Sequence, residues 1–376
     1  MSTRPKFGSR IGARMHVNGK MVNYFCGTSY YCMHSNPEVM AAASQAIESY
    51  GLGVGTNADM EIYDELKNRA ANFFGVEEIT YFASGYLSIS VLLKGLRNEF
   101  DFVLVDAASH YCVFDAIREL GKPIFTFKHL DDHDLSQMLA KHATSSRTPA
   151  IVTDGVFPST GIIAPLDRYA DVMKAYPGAL LCIDDSHGVG VLGPNGRGSF
   201  DHFGLSGPQY YQAGTLSKAF GGYGGFVGGT AALAEKIRTN AKLMVGASPP
   251  PIPAAAAACA GLKVLSQSPE IRQNLWQNVK YLRQSLADIG IQTPQTNVPI
   301  VSFGADENLA EVAQELERRG TLVRQVPPLG YSDAPDQETL RVAVFSTHSR
   351  SQIDELISGL KELLPKASSV SAGQRP

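Results

Sequence analysis

Four groups of residues stand where a short apolar run gives way to a small or polar loop, and each carries a side chain or backbone able to bind or move charge. Ser84-Gly85-Tyr86 ends one such run and opens a helical stretch, so free backbone N–H groups and the positive end of a helix dipole are available to an anion. His110 follows Val103-Leu-Val-Asp-Ala-Ala-Ser109, and Asp184 closes Leu180-Leu-Cys-Ile with His187 three residues further on. Lys218 lies in Gly214-Thr-Leu-Ser-Lys-Ala-Phe-Gly-Gly222, a loop of small residues. Each group alone has an ordinary reading: a lone lysine is most often a solvated charge, a strand-end aspartate a cap, a strand-end histidine a satisfied hydrogen-bonding residue. Their order and chemistry together point further. An anion cradle, a stacking group, a carboxylate and an amine match the phosphate, ring face, ring nitrogen and aldehyde of pyridoxal 5'-phosphate (PLP).

Such a set requires a scaffold that brings the ends of several strands side by side. From residue 79 to about 230, apolar runs alternate with amphipathic segments: Ile79–Ala83, Phe102–Asp106, Pro123–Phe127, Ala150–Asp154, Ala179–Asp184 and Gln209–Ala213 read as strands, with helices at Tyr86–Arg97, Tyr111–Leu120 and Leu166–Tyr176 between them. Strands that are apolar throughout describe a sheet covered on both faces, an α/β core with mostly parallel strands, in which ligands bind beyond the strand C-termini. Pro249-Pro250-Pro251 and Pro253 punctuate the chain after this core, and the alanine-rich stretch from Ala254 to Leu265 reads as a helix carrying it away. The expected organisation is an N-terminal segment over 1–45, a large domain over 46–252, a smaller α+β domain over 253–366 and a flexible tail over 367–376.

Other motifs fail on context. Gly188-Val-Gly190-Val-Leu-Gly193 fits the dinucleotide pattern and follows a strand, but Pro194, Asn195, Gly196 and Gly198 come where a helix is needed, so it reads as tight turns. His129-Leu-Asp-Asp-His133 places two histidines one helical turn apart, yet its aspartates suit a helix cap better than a zinc helix. Lys and Arg number 33 against 36 Asp and Glu, a balance of −3 that leaves no basic excess for nucleic acid. Five cysteines without any C-x-x-C pair, together with no apolar run of membrane-spanning length, suit a reduced, cytoplasmic enzyme with no metal site.

Asp184-Asp-Ser-His-Gly-Val-Gly-Val-Leu-Gly193, Gly196-Arg-Gly-Ser199 and Thr215-Leu-Ser-Lys218-Ala-Phe-Gly221 closely resemble the signatures of the α-oxoamine synthases, fold-type I PLP-dependent enzymes. Ser84-Gly85-Tyr86, Ser109-His110, Thr153-Asp-Gly-Val-Phe157 and Leu340-Arg341 match at the corresponding places, and the resemblance runs from about Gly19 to Leu364. It implies a seven-stranded, mostly parallel sheet sandwiched by helices, with a smaller C-terminal domain. By the resemblance, Lys218 forms the aldimine and takes the α-proton, Asp184 keeps the pyridinium nitrogen protonated, His187 bonds the phenolic oxygen and His110 stacks on the ring. Ser84, Gly85 and Tyr86 hold the phosphate, with Thr215 and Ser217 adding hydroxyls, while Arg341 grips the amino-acid carboxylate beside Thr28. The implied reaction condenses an amino acid with an acyl thioester, on CoA or a carrier protein, with loss of carbon dioxide to give an α-amino ketone. The implied assembly is a homodimer with its site at the interface.

Departures from the family pattern gather on the substrate side. Thr28 stands where an asparagine is common, Pro158 replaces a serine, and Ala247 and Leu329 each replace a threonine, so several hydroxyls are lost together. Such losses suit an altered acyl or amino-acid pocket, or else gaps filled by water. A fold-type I aminotransferase would use the same lysine and aspartate. A non-catalytic partner subunit would have no need of Lys218.

Overall fold

Strands that are apolar along most of their length leave little of either face to water, and the computed structural model, which describes residues 5–56, 58–144 and 147–364, shows how both faces are covered. Seven strands form the large sheet: β1 Glu78–Phe82, β2 Phe102–Asp106, β3 Ile124–Phe127, β4 Pro149–Asp154, β5 Leu180–Asp184, β6 Tyr210–Thr215 and β7 Gly225–Gly229. Their spatial order is β1-β7-β6-β5-β4-β2-β3. Alternate residues face opposite layers. Val103, Val105, Ala150, Val152, Leu180 and Cys182 pack with Ile89, Val113 and Ile237 of the helices on one side. Phe102, Leu104, Ile151, Leu181 and Ile183 pack with Leu135, Leu139, Leu166 and Tyr169 on the other.

The strands from β3 to β6 run parallel, and β7 is antiparallel to both β6 and β1. Register aligns Asp154 with Asp184 and Asp184 with Ala213, so the C-terminal ends of β4, β5 and β6 form one rim. Sequence patterning leaves β7 unread, because Gly-Phe-Val-Gly-Gly carries little apolar signal. Its first glycine is nonetheless required: a Cβ at Gly225 would lie 2.3 Å from Ser88 Oγ and 2.5 Å from the Phe82 ring.

The chain divides into two compact units, and the division differs from the expected one. The larger comprises Pro37–Phe157 and Ile163–Gln267. The helix Ile252–Gln267 packs on the helices Pro37–Tyr50 and Glu61–Phe74, so the break falls after Gln267 rather than at 252, and the unit begins at Pro37 rather than at 46. The smaller unit gathers the residues up to Asn36, the short run Pro158–Ile162 and the chain from Ser268 on. The part of the expected N-terminal segment up to Asn36 belongs here for a backbone reason. Its hairpin, Arg14–Val17 with Lys20–Tyr24, takes Thr321–Leu322 as a parallel third strand. A second sheet in this unit sets Thr339–Ala343 between Ile300–Phe303 and Arg324–Val326. The tail over 367–376 lies outside the described residues.

The rejected motifs are also settled in place. Gly190, Gly193 and Gly196 have φ of +80°, +83° and +73°, and no helix begins until Ser199. His129 Nδ1 lies 2.8 Å from Asp106 Oδ1, and the Asp131 side chain caps the helix Asp132–His142. Among the described residues no cluster of three or more His, Cys, Asp or Glu could hold a metal ion, and no helix is long and apolar enough to cross a membrane.

Candidate active site at the strand ends of the large sheet

The larger unit brings together nine of the residues singled out from sequence. Ser84 caps the short 3-10 helix Gly85–Leu87, its hydroxyl accepting from the Tyr86 N–H at 3.2 Å. Gly85 opens this helix, its N–H lying in the first turn. Gly85 also rests directly against β6: a Cβ there would lie 2.6 Å from both Cβ and Oγ1 of Thr215. Thr215 Oγ1 donates to the Gly224 carbonyl at 2.8 Å and lies 2.8 Å from Ser217 Oγ, tying the start of the lysine loop to the strand end. The same loop closes on itself through Gly222 N–H to Leu216 O.

His110 caps the helix Tyr111–Arg118 with its ring. Its Nδ1 accepts from the Cys112 N–H at 3.3 Å, which places the ring proton of the neutral imidazole on Nε2. Its own N–H donates to Asp154 Oδ2 at 2.8 Å, and its ring meets Tyr86 edge to face at 6.0 Å. Tyr86 is held in turn by donation to Asp115 Oδ2 at 2.5 Å. Asp184, 4% exposed, accepts from the Ser186 N–H on Oδ1 at 3.0 Å and from the Cys112 thiol on Oδ2 at 3.2 Å. His187 is buried in the turn that follows.

Lys218 joins this group electrostatically. Burial pushes the Cys112 thiol far above its ordinary range, Asp184 and Asp154 push it further, and the Lys218 charge pulls it back. Next to Asp184, the carboxylate of Asp185 serves the scaffold. It accepts from Ser199 N–H and Oγ, both at 2.6 Å, and from Gln212 Nε2 at 2.5 Å, while burial raises its pKa to about 7. A Cβ on Gly155, Gly188 or Gly198 would strike this carboxylate, so three glycines make room for it.

The smaller unit holds the remaining expectations. Arg341 on Thr339–Ala343 is 5% exposed, donates from Nε to the Pro158 carbonyl at 2.9 Å, and forms no ion pair among the described residues. A buried guanidinium without an anion is a receptor for one. Thr28 is half-buried after the hairpin, and Leu329 stands 72% exposed with φ +53°, a strained setting for a branched side chain. Ala247 lies in the larger unit, lining a cavity of about 320 Å³ with Tyr63, Tyr81 and Pro250. Sequence reading passed over Cys112, Asp154 and Asp185. The signal for Cys112 was its place two residues into the helix that His110 opens.

These residues fit PLP. A buried carboxylate, an imidazole, a backbone amide at a helix start and a lysine whose charge acts on the same thiol as that carboxylate are the kinds of group that the ring nitrogen, ring face, phosphate and aldehyde of the cofactor would call for. The chain belongs to the aminotransferase class I and II family, whose model matches residues 27–360. Within it, the protein is a PLP-dependent enzyme of the α-oxoamine synthase family, of acyltransferase type. It is 32% identical to 8-amino-7-oxononanoate synthase of Thermosipho melanesiensis over 91% of this chain and 88% of the relative. It is likewise 32% identical to the synthase of the same name from Petrotoga mobilis, over 94% and 91%. Serine palmitoyltransferase of Sphingomonas wittichii superposes with a TM-score of 0.88 at 25% identity, covering 96% of this chain and 91% of that one. A serine palmitoyltransferase from S. paucimobilis solved with PLP and myriocin gives the same score and identity, over 96% and 92%.

Proposed function

We propose that the protein condenses an amino acid with an acyl thioester, releasing thiol and carbon dioxide, to an α-amino ketone. The product for which its relatives are named, 8-amino-7-oxononanoate, is itself an α-amino ketone. The observation that carries the reading is that Asp184 accepts a hydrogen bond from the Cys112 thiol while the Lys218 charge acts on that same thiol.

PLP supplies an electron sink for the carbanion at the amino-acid α-carbon. Lys218 Nζ would hold the cofactor through its aldehyde and, once released, would take the α-proton as general base. Asp184 holds a proton at the ring nitrogen, its carboxylate fixed by the Ser186 amide and the Cys112 thiol. His110 offers a neutral ring face for stacking, and His187 bonds the phenolic oxygen. Ser84, Gly85 and Tyr86 with Thr215 and Ser217 bind the phosphate, and Arg341 with Thr28 binds the substrate carboxylate. Carbon–carbon bond formation at the thioester carbonyl would break the C–S bond, the sulfur leaving as a thiol once it takes a proton. Loss of carbon dioxide and return of a proton to the α-carbon complete the balance.

The working form is a homodimer with the site at the interface. Large apolar side chains left exposed, Leu52, Val245, Tyr111 and Tyr223 at 70%, 67%, 48% and 49%, are surface that a second copy could cover. Five free cysteines suit a cytoplasmic setting.

The test is thiol and carbon dioxide release from a panel of acyl-CoA and acyl-carrier-protein donors with glycine, alanine or serine. Release of both supports the reading, and oxo-acid formation without thiol overturns it in favour of transamination. Sedimentation of a stable, active monomer would overturn the dimer.

A further inference from the structure

The peptide group joining Pro158 to Ser159 is used at both ends. Its carbonyl accepts from Arg341 Nε at 2.9 Å, and its N–H donates to Asp333, 2.9 Å from Oδ2 and 3.1 Å from Oδ1. The peptide is planar and stiff, so fixing its N–H fixes the direction of its carbonyl. Asp333 tightens this hold by also accepting the Thr160 N–H at 2.9 Å and the Thr160 hydroxyl at 3.0 Å. It is 5% exposed and, among the described residues, has no cation beside it, so its charge is carried by neutral donors alone.

The charges line up. The anion lies at the N–H end of the peptide dipole and the guanidinium at its carbonyl end, so each polarises the bond the other makes. The Arg341 side chain is thereby held by one edge, leaving its terminal nitrogens to receive a carboxylate. Proline at 158 adds stiffness by fixing its own φ.

We propose that Asp333 is a positioning residue for the amino-acid substrate, acting on Arg341 through the Pro158–Ser159 peptide. The inference rests on the reading of Arg341 as the carboxylate grip.

The test uses the holoenzyme with whichever of glycine, alanine and serine it turns over best. Arg341→Ala first checks the underlying reading: if the KM for the amino acid does not rise, that reading fails, and this inference with it. Given that rise, Asp333→Asn should raise the amino-acid KM about tenfold, leaving the acyl-thioester KM and the PLP dissociation constant within about twofold. In the Arg341→Ala background, Asp333→Asn should add nothing, since its effect travels through the absent guanidinium. An equal rise in both KM values, an unchanged amino-acid KM, or an effect that persists without Arg341 would each overturn the inference alone. Should Asp333→Asn fail to fold, Thr160→Ala removes one donor to the same carboxylate and should show the same split at smaller size. Absence of a split there would overturn it equally.

Discussion

The thiol of Cys112 stands 3.2 Å from Asp184 Oδ2 and 2.9 Å from His110 Nδ1, so one small side chain bridges the carboxylate and the imidazole assigned to the cofactor ring. Because His110 Nδ1 already accepts the Cys112 N–H, the thiol proton is directed to Asp184. Cys112→Ala should weaken PLP binding several-fold, whereas Cys112→Ser, which keeps a donor, should stay close to the parent. Equilibrium titration of apoprotein with PLP gives both values, and equal losses in the two variants would remove any part for the hydrogen bond. The native thiol is 2% exposed, and should react with a thiol reagent only after unfolding.

Gly85→Ala should lower PLP affinity at least tenfold, because the new methyl would lie 2.6 Å from Thr215 and force apart the two elements proposed to bind the phosphate. Gly53→Ala is the control, since a Cβ there meets nothing within 4 Å and its backbone carries no positive φ. A similar loss in both would contradict the assignment of Gly85.

Lys218→Ala should abolish the borohydride-reducible adduct with PLP and all turnover, while leaving the melting temperature of the apoprotein nearly unchanged. Mass spectrometry of the reduced protein reads the first. An adduct of the same mass at another lysine would sink the assignment.

Asp185 gives a pH dependence with a definite sign. Its pKa is raised from 3.8 to about 7 in the folded chain, so between those values the folded state binds the extra proton. Stability should therefore fall as pH rises through this window, by up to about 1.4 kcal/mol per pH unit from this one group. Asp185→Asn should flatten that part of the curve. Thermal melts of both forms between pH 5 and pH 8 measure it, and parallel curves would refute the shift.

Much of this was legible in the sequence because the central parallel strands are almost wholly apolar, and their ends fall at Asp106, Asp154 and Asp184. Asp184 stands out as the charge that closes such a run, and Lys218 as the charge in the small-residue loop three residues beyond Thr215. What the sequence hid depends on distance. Strand β7 is read only by its neighbours, since glycine erases its pattern while their close approach demands it. The N-terminal hairpin shows its third strand some 300 residues later, at Thr321–Leu322. Cys112 and Asp333 look ordinary along the chain, and gain their meaning from partners 72 and 174 residues away.

The five residues Pro158–Ile162 leave one compact unit for the other and return, held there by Asp333, by Arg341 and by Ile300, whose carbonyl lies where a Cβ on Gly161 would sit. The polypeptide thus passes between the units at four points rather than one. No single cut yields two complete halves: a fragment ending at Gln267 would carry this loop without its anchors, and the complementary fragment would keep the anchors with nothing to hold. Recombining such a protein with a relative by swapping a terminal piece must transplant the loop as well.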